Sequence, residues 1–284
     1  MKNSIWFHNL KNFNKENLII ALRHSLYVLS AVWLAIEIIT YLKFDIAEKF
    51  RWYLILIPVL LVFIGDFFRL INIKQKNINL ENDVEMEIRI GDIFNLNDSV
   101  KGNIVIPINN EIEFEHIEKR AMISQLINYY DSKNEFYNIL SEKLTGEEKY
   151  PIGTVFKIKL PSKIQNSAND RFAYLLVTTK LNSNKRALNN LEDLKNAINQ
   201  LWKYIAENED TSSLIIPLIG TGRQRILIQI NQLLRIFIES FYKQIKKKKF
   251  TKKISIVITK ESYEKNKLNL SDVEKFVESY VKFY

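Results

Sequence analysis

The stretch that decides the fold is Ile215–Arg223, which reads IIPLIGTGR. Its first half is a short apolar run typical of a buried strand, and its second half is a turn with two glycines, Gly220 and Gly222. Glycine lets a backbone approach a ligand closely, and successive N–H groups ahead of a helix form a pocket for anions. Arg223 adds a charged donor for phosphate. The stretch therefore predicts a strand that ends in an anion-binding turn.

The chain around this stretch alternates strands with helices. Alternating or continuous apolar runs predict six strands, and apolar residues spaced three or four apart predict helices. The strands are Val84–Ile90, Asn103–Ile108, Thr154–Leu160, Arg171–Thr179, Ser213–Leu218 and Lys253–Ile258, and the helices are Glu118–Tyr130, Lys133–Leu144, Asn189–Glu207, Arg225–Lys246 and a last one from Ser271 to about Phe283. This alternation predicts an α/β sandwich with a mostly parallel sheet.

Two further turns at predicted strand ends carry informative polar groups. Gly91-Asp92-Ile93 follows the first strand, where Asp92 is suited to accept a hydrogen bond from an exocyclic amine such as that of adenine. Asn109-Asn110 follows the second strand, and its amides are suited to ribose hydroxyls. Ligands of parallel α/β sheets bind beyond the carboxyl ends of the strands. We therefore expect all three turns to line one site.

The residues before this α/β part are strongly apolar. Ser25–Leu42 reads SLYVLSAVWLAIEIITYL with one charge, Glu37, and Trp52–Gly65 reads WYLILIPVLLVFIG with none. A membrane-spanning helix needs ~20 mainly apolar residues, and neither run has a polar face wide enough for a soluble helix. The alternative is a pair of buried core helices in a soluble protein. We predict two transmembrane helices, at about 20–42 and 52–73.

This prediction divides the chain into a membrane segment, 1–80, and a hydrophilic domain, 81–284. The basic residues that flank the two runs favour, weakly, a cytoplasmic location for both termini. We therefore expect a multi-pass protein of the cell inner membrane with its N-terminus and its large domain in the cytoplasm.

Two acidic residues of the membrane segment stand out, Glu37 and Asp66. Ionisable groups in a bilayer usually face a bundle interior or a water-filled path, which makes both candidates for a role in the membrane. The alternative is that both lie close enough to an interface to be hydrated.

Composition excludes several classes of protein. The chain has 284 residues and no cysteine, so disulfides, thiolate zinc sites and cysteine nucleophiles are excluded. Its three histidines, His8, His24 and His116, are far apart, and we predict neither a metal nor a cofactor. Of the net charge of +9, +5 falls in the first 80 residues and +4 in the other 204. This near balance argues against nucleic acid as a partner of the large domain.

Together, in this order and on these strand ends, the turns resemble the macro domain, the ADP-ribose-binding module. Gly91-Asp92-Ile93 matches its adenine end, Asn109-Asn110 follows the second strand, Ile215–Gly222 matches a strand and phosphate loop, and Tyr150–Thr154 resembles its Pro-x-Gly turn. The resemblance implies a three-layer α/β/α sandwich with a mixed, mostly parallel six-stranded sheet. It implies ligand contacts from residues 91–93 and from Asn109, Asn110, Leu218, Ile219, Gly220, Thr221 and Gly222. From the residues themselves we add two phosphate contacts, Arg223 and, at a predicted helix N-terminus, Ser124.

The sequence departs from the family in one respect. Catalytic macro domains commonly rely on Asn and Gly residues around a Gly-rich loop shortly after the Asn, but Glu111–Ile123 contains no glycine. We therefore expect a binding protein and not an enzyme. The alternatives are a membrane-tethered ADP-ribosyl hydrolase and a reader that recruits ADP-ribosylated or nucleic-acid partners to the membrane.

A macro domain behind a two-helix hairpin is similar to the membrane-anchored macro effectors of bacterial Thoeris antiphage defence. That resemblance implies a partner TIR-domain enzyme that makes an ADP-ribose-derived signal, histidine-ADP-ribose being one candidate. It also implies that the signal-bound protein damages the lipid bilayer. Since one hairpin cannot line a pore, we expect the active form to be a homo-oligomer.

Overall fold

The computed structural model describes residues 15–41, 48–71, 74–94, 102–114, 118–119, 121–161, 171–188, 190–208, 212–220, 226, 228–266 and 268–283. The chain divides into two compact units, Met1–Lys74 and Gln75–Tyr284. This division falls six residues before the boundary predicted from the sequence, because Gln75–Leu80 is a strand of the second unit.

The first unit contains two long helices, α1 (Lys15–Tyr41) and α2 (Glu48–Ile71), which pack against each other. Among the described residues, one helical segment, Ala21–Tyr41, is long and apolar enough to cross a membrane. The apolar part of α2, Tyr53–Phe68, is shorter than the ~20 residues that a span needs. Pro58 lies inside α2 and removes one backbone donor from the helix.

The second unit is built on one mixed sheet. Its strands are β1 (Gln75–Leu80), β2 (Val84–Ile90), β3 (Asn103–Asn109), β4 (Val155–Lys159), β5 (Phe172–Leu181), β6 (Ala187–Leu188), β7 (Leu214–Pro217) and β8 (Lys253–Ile258). Their order is β1-β2-β8-β7-β3-β5-β4, and β6 pairs with β5. In this order β2, β8, β7, β3 and β5 run parallel to one another. By contrast, β1, β4 and β6 are antiparallel to the strands with which they pair.

The predicted α/β class, the six predicted strands and the mostly parallel sheet are confirmed, but the predicted number of strands is too low. The short β6 and the edge strand β1 were not predicted. β1 reads QKNINL, and only Ile78 and Leu80 in it are apolar and buried. It forms because each of its residues pairs with β2, from Gln75 opposite Arg89 to Leu80 opposite Val84.

The helices of the second unit flank this sheet. They are α3 (Met122–Ile127), α4 (Lys133–Ser141), α5 (Leu191–Glu207), α6 (Ile230–Lys247), α7 (Lys260–Lys265) and α8 (Leu270–Phe283). The helix predicted at Glu118–Tyr130 shortens to the six residues of α3, and α7 was not predicted. Ser132 and Asn190 cap α4 and α5, since their side chains accept the N–H of the residue three positions on.

The sheet has a hydrophobic core on each face, which gives the three layers predicted. On one face α3 and α4 bury residues such as Leu126 and Phe136 against β3, β4 and β5. On the other face α5 and α6 pack together, and the Trp202 indole stacks near Phe241 and Phe250. Trp202 Nε1 donates to Ser240 Oγ at 3.0 Å, so its polar group is satisfied in the core.

One charged group is buried in the sheet itself. Glu87 of β2 is 0% exposed, and its carboxylate accepts hydrogen bonds from Arg89 Nε at 2.8 Å and Ser255 Oγ at 2.7 Å. Lys253 Nζ lies 3.2 Å from the same carboxylate. Burial alone would raise the pKa of Glu87, but the Ser255 hydrogen bond and the charges of Arg89 and Lys253 together lower it. Glu87 therefore joins β2 to β8 as a carboxylate.

We predict that Glu87→Gln lowers the free energy of unfolding at pH 7 by about 2–4 kcal/mol, because Arg89 and Lys253 lose the charge that compensates them. A carboxyl with a lowered folded-state pKa stabilises above its unfolded-state pKa, and this contribution is lost as pH falls through the folded-state value. The difference between wild type and variant should thus shrink below pH ~4.5. Thermal unfolding followed by circular dichroism measures both effects.

The matched control is Glu85→Gln on the same face of β2. Glu85 pairs with Lys253 at 3.0 Å, but it is about one-third exposed, so its loss should cost under ~1 kcal/mol. Equal destabilisation by the two variants would contradict the role assigned to Glu87.

Candidate ligand-binding site

The predicted site residues that directly follow β2, β3 and β7 and are described lie at one edge of the sheet. β2, β8, β7 and β3 are adjacent and parallel, so their carboxyl ends meet at the same edge. Gly91 and Asp92 follow β2, Leu218–Gly220 follows β7, and Asn110 follows β3. Neighbouring strands are about 4.8 Å apart, so this row of turns is about 14 Å long. The edge thus has the extent of an elongated ligand with several polar groups.

The turn after β2 holds Asp92 outward from a fixed backbone. Gly91 N donates to Ile258 O at 2.9 Å, and Asp92 Oδ1 accepts from Phe94 N at 3.0 Å. Asp92 is exposed, whereas the Ile93 side chain is 6% exposed and belongs to the core beside α3. The predicted contact of Ile93 with a ligand is therefore restricted to its backbone.

An aromatic pair beside Asp92 was not predicted from the sequence. The Phe94 and Tyr129 rings stack with centroids 5.5 Å apart and planes 27° apart, and both side chains are half-buried. Tyr129 lies 35 positions from Phe94, so only the fold brings the two rings together. A flat apolar surface next to a carboxylate is a suitable environment for a planar base that carries an amine.

The two asparagines after β3 are bound to the protein backbone. Asn109 Oδ1 accepts the N–H of Glu111 at 3.0 Å, and its Nδ2 donates to Glu113 O at 2.9 Å. Asn110 Oδ1 accepts from Leu181 N at 2.9 Å. Both amides were predicted as partners of ribose hydroxyls, but most of their hydrogen-bonding groups hold the loop in place. No described residue partners Asn110 Nδ2, which leaves it as the amide group available to a ligand.

A β-bulge sets the position of this loop. Ile108 pairs with Val177 and Asn109 with Thr179, so Thr178 is an extra residue in β5. Bulges bend a strand and re-aim the residues that follow it. Asn110 is held there by its own backbone as well, because its N–H donates to Thr179 O at 2.8 Å.

The turn after β7 starts from buried residues. Leu218 and Ile219 are 3% and 2% exposed, and Leu218 N donates to Val257 O at 2.9 Å. Gly220 has φ +97°, in the left-handed region that favours glycine. Thr221, Gly222 and Arg223, the rest of the predicted phosphate loop, lie outside the described residues. The predicted contacts of Leu218 and Ile219 with a ligand are therefore restricted to their backbone, and the N–H of Leu218 is already bound within the sheet.

Ser124 lies in α3 and not in a turn that follows a strand. It is the third residue of α3 and is half-buried, and its backbone O accepts from Asn128 N at 3.3 Å. Its predicted contact with phosphate stays a prediction.

A cavity of about 590 Å³ adjoins the row at the β3 end. It is lined by Glu111, Ile112, Glu113, Phe114, Tyr137, Glu148, Lys149 and Lys185. None of these residues was predicted as a site residue, because they come from four separate parts of the chain. Glu111 directly follows Asn110, so this charged pocket begins where the row of turns ends along the chain.

The two acidic residues singled out in the first unit have different partners. Asp66 Oδ2 of α2 lies 2.7 Å from His24 Nδ1 of α1, so this pair joins the two helices. Glu37 Oε1 accepts from Trp33 Nε1 at 2.9 Å within α1. His24 was not predicted as part of this pair, since nothing in the local sequence links residues 42 positions apart.

Comparisons with known proteins agree with this fold. The family model of the macro domain of Thoeris protein ThsA matches residues 86–259. The chain belongs to the ThsA macro-domain family. It is 27% identical over 268 residues to Thoeris protein ThsA of Bacillus amyloliquefaciens (strain Y2), a match that covers 83% of this chain and 84% of that protein. The family assignment makes the chain a Thoeris defence protein with a macro domain.

A solved structure supports the fold of the second unit. A mutant macrodomain of Oceanobacillus iheyensis with ADPR superposes with a TM-score of 0.51 at 15% identity, covering 74% of this chain and 100% of that one. The macro-type sandwich predicted from the three turns is confirmed at the level of fold.

We predict that Gly220→Ala destabilises the protein by about 1–2 kcal/mol. Alanine is strained at a positive φ, whereas glycine is not, and the alanine Cβ would lie 3.3 Å from side-chain atoms of Ile226 and Leu233. Gly146→Ala is the control, because Gly146 has φ +80° but no heavy atom within 4 Å of its Cβ. Differential scanning calorimetry should give the larger loss for Gly220. Equal losses would mean that crowding at Gly220 has no effect.

Proposed function

We propose that this chain is a membrane-anchored Thoeris effector whose macro domain binds an ADP-ribose-derived signal, histidine-ADP-ribose being one candidate. The observation that carries the proposal is that Asp92, Gly220 and Asn110 follow β2, β7 and β3, whose carboxyl ends lie at one edge of the sheet of a ThsA-family macro fold. In this arrangement Asp92 accepts from the adenine amine and the Phe94–Tyr129 stack contacts the base. The backbone after β7 binds the diphosphate, and Asn110 faces the distal ribose.

Binding without hydrolysis is the favoured role. Catalytic macro domains that the chain resembles rely on a Gly-rich loop after the Asn, whereas residues 111–123 contain no glycine. The Asn109 amide is also committed to the loop backbone, at Glu111 N and Glu113 O. Both observations support a protein that holds its ligand rather than converting it.

The surface of the first unit supports a membrane anchor. Of the twenty large hydrophobic side chains that are exposed among the described residues, eighteen lie on α1 and α2. Water disfavours an apolar surface of this size, whereas lipid does not. Polar side chains of α1 are satisfied within the helix, since Ser25, Ser30 and Thr40 donate to the carbonyl four residues earlier. We infer a multi-pass location in the cell inner membrane, with both termini in the cytoplasm.

The short apolar part of α2 fits the role of a membrane anchor if the ends of that helix lie at the membrane–water interface. His24 and Asp66 pair near one end of the hairpin, where a polar pair is hydrated more easily than at the bilayer centre. We infer that Glu37 faces the interior of a homo-oligomer, where its charge is tolerated. An oligomer is needed because a single hairpin cannot line a pore.

The topology supports coupling between signal and membrane segment. β1 runs antiparallel to β2, and Gln75, its first residue, pairs with Arg89, two residues before Gly91. The chain thus enters the sheet beside the proposed adenine turn. In this proposal a TIR-domain enzyme supplies the signal, and binding favours the conformation in which oligomeric helices disrupt the bilayer.

We predict that Asp92→Asn weakens binding of ADP-ribose by about 10- to 100-fold. Asparagine keeps an oxygen that accepts from Phe94 N, but it replaces the other carboxylate oxygen with a donor that repels an exocyclic amine. Isothermal titration calorimetry on the full-length protein measures the change. Asp272→Asn, an exposed aspartate on α8, is the control with the same change in net charge. Unchanged affinity in Asp92→Asn would refute the placement of the base.

We also predict ligand-dependent leakage from phosphatidylethanolamine–phosphatidylglycerol vesicles that contain the full-length protein. Histidine-ADP-ribose should release an encapsulated dye, Asp92→Asn should raise the concentration required, and a chain lacking residues 1–74 should release none. Dye release that is indifferent to ligand, or equal release by the truncated chain, would contradict the gated effector.

A further inference from the structure

Polar side chains recur along one face of α1. Successive residues of a helix are about 100° apart, so residues that recur every three or four positions share a face. Within the apolar segment Ala21–Tyr41, the residues that fall within about 40° of one line along the helix are Arg23, Tyr27, Ser30, Leu34, Glu37 and Tyr41. We call this set the α1 stripe. All its members are exposed, and all except Leu34 carry a polar group.

The α1 stripe lies on the side of α1 that points away from α2. The two helices pack against each other, and the buried side chains of α1 include Ala21, Ser25 and Ile36, at 0%, 5% and 7% exposure. These three residues lie about 140–160° around the helix from the centre of the stripe. Packing within the hairpin therefore does not use the polar groups of the stripe, and in a single hairpin they would face lipid.

The outward surface of α2 has a different character. The segment Tyr53–Phe68 contains one charged residue, Asp66, and this carboxylate lies 2.7 Å from His24 of α1 and is 15% exposed. Eight large hydrophobic side chains of the same segment are exposed. The outward surface of α2 therefore suits lipid, whereas that of α1 suits water.

This difference decides how copies of the hairpin can be arranged in a bilayer. Polar and charged side chains are costly in hydrocarbon, so within membranes they usually face a bundle interior or a water-filled path. Hairpins around a common axis remove the α1 stripe from lipid only if α1 is the inner helix. In that arrangement α2 forms the outer layer, and its apolar surface contacts lipid.

We propose that the α1 stripe lines the aqueous path of the oligomer and that Glu37 makes this path selective for cations. Glu37 lies four residues, or ~6 Å, before the end of Ala21–Tyr41, and Trp33 Nε1 donates to its Oε1 at 2.9 Å. A ring of such carboxylates attracts cations and repels anions. Arg23 lies two residues, or ~3 Å, from the other end, where bulk water screens its charge. This inference rests on the proposed function, because it takes the chain to act as an oligomer that opens the bilayer.

Introduced thiols test which face of α1 meets water, because the chain contains no cysteine. Ser30→Cys places a thiol on the α1 stripe near the middle of Ala21–Tyr41. Ser25→Cys is the matched control, since both serine hydroxyls donate to the carbonyl four residues earlier but Ser25 is buried. Currents are recorded across phosphatidylethanolamine–phosphatidylglycerol bilayers that hold the full-length protein and histidine-ADP-ribose. A membrane-impermeant trimethylammonium methanethiosulfonate should lower the current of Ser30→Cys at least about threefold and leave Ser25→Cys and wild type unchanged.

Ion selectivity tests Glu37 in the same bilayers. Under a KCl gradient, wild type should pass K⁺ at least about threefold more readily than Cl⁻. Glu37→Gln should bring this permeability ratio close to one, because glutamine keeps an oxygen for Trp33 Nε1 but loses the charge. Asp66→Asn is the control that removes the other acidic charge of the hairpin away from the stripe, and it should leave the ratio unchanged.

The outcomes separate this inference from the proposed function. An unreactive Ser30→Cys in a protein that conducts, or equal block of Ser25→Cys, would show that the α1 stripe does not line the path. A permeability ratio unchanged in Glu37→Gln would refute the role of Glu37. In these cases the ligand still opens a current, so the proposed function stands. A wild type that gives no ligand-dependent current would contradict the proposed function, and this inference with it.

Discussion

The parallel pairing of β2, β8, β7 and β3 is the constraint on which the rest of the second unit depends. Parallel strands align their carboxyl ends, so polar turns that lie far apart in the sequence come to share one edge. Asp92 and Gly220 are separated by 128 positions but follow strands that both pair with β8. The helices on both faces bury this sheet, and its edge is where backbone N–H groups and polar side chains remain for a ligand.

Several residues hold this edge in place without contacting the proposed ligand. The amide of Asn109 and the bulge at Thr178 hold the loop after β3. The buried carboxylate of Glu87 ties β2 to β8, in the strand that leads to Asp92. Ile112 adopts a strained backbone beside the cavity. These features explain why residues of the same edge have different roles, some structural and some available for binding.

The sequence predicts the features that depend on local patterns and misses those that depend on long-range contacts. The strands and the turns at Asp92 and Gly220 follow from apolar periodicity and glycine positions. The macro-type fold was implied by the resemblance of these turns to a known family. The hydrogen bond that Leu181 N donates to Asn110 Oδ1 does not follow from such local patterns, because the two residues are 71 positions apart. The cavity could not be predicted from local patterns either, because it needs Lys185 beside Glu111. The same is true of the edge strand β1, whose polar sequence forms a strand only by pairing with β2.

Hydrogen–deuterium exchange of the full-length protein with and without saturating histidine-ADP-ribose tests the central claim, which is that the ligand lies along the carboxyl edge. Exchange should slow at residues 91–94, 109–114 and 218–220, whose amides lie at that edge. It should stay unchanged at the opposite edge, at 81–85 and 251–253, where β2 and β8 begin. Protection confined to the opposite edge, or no protection with the ligand bound, would contradict the account.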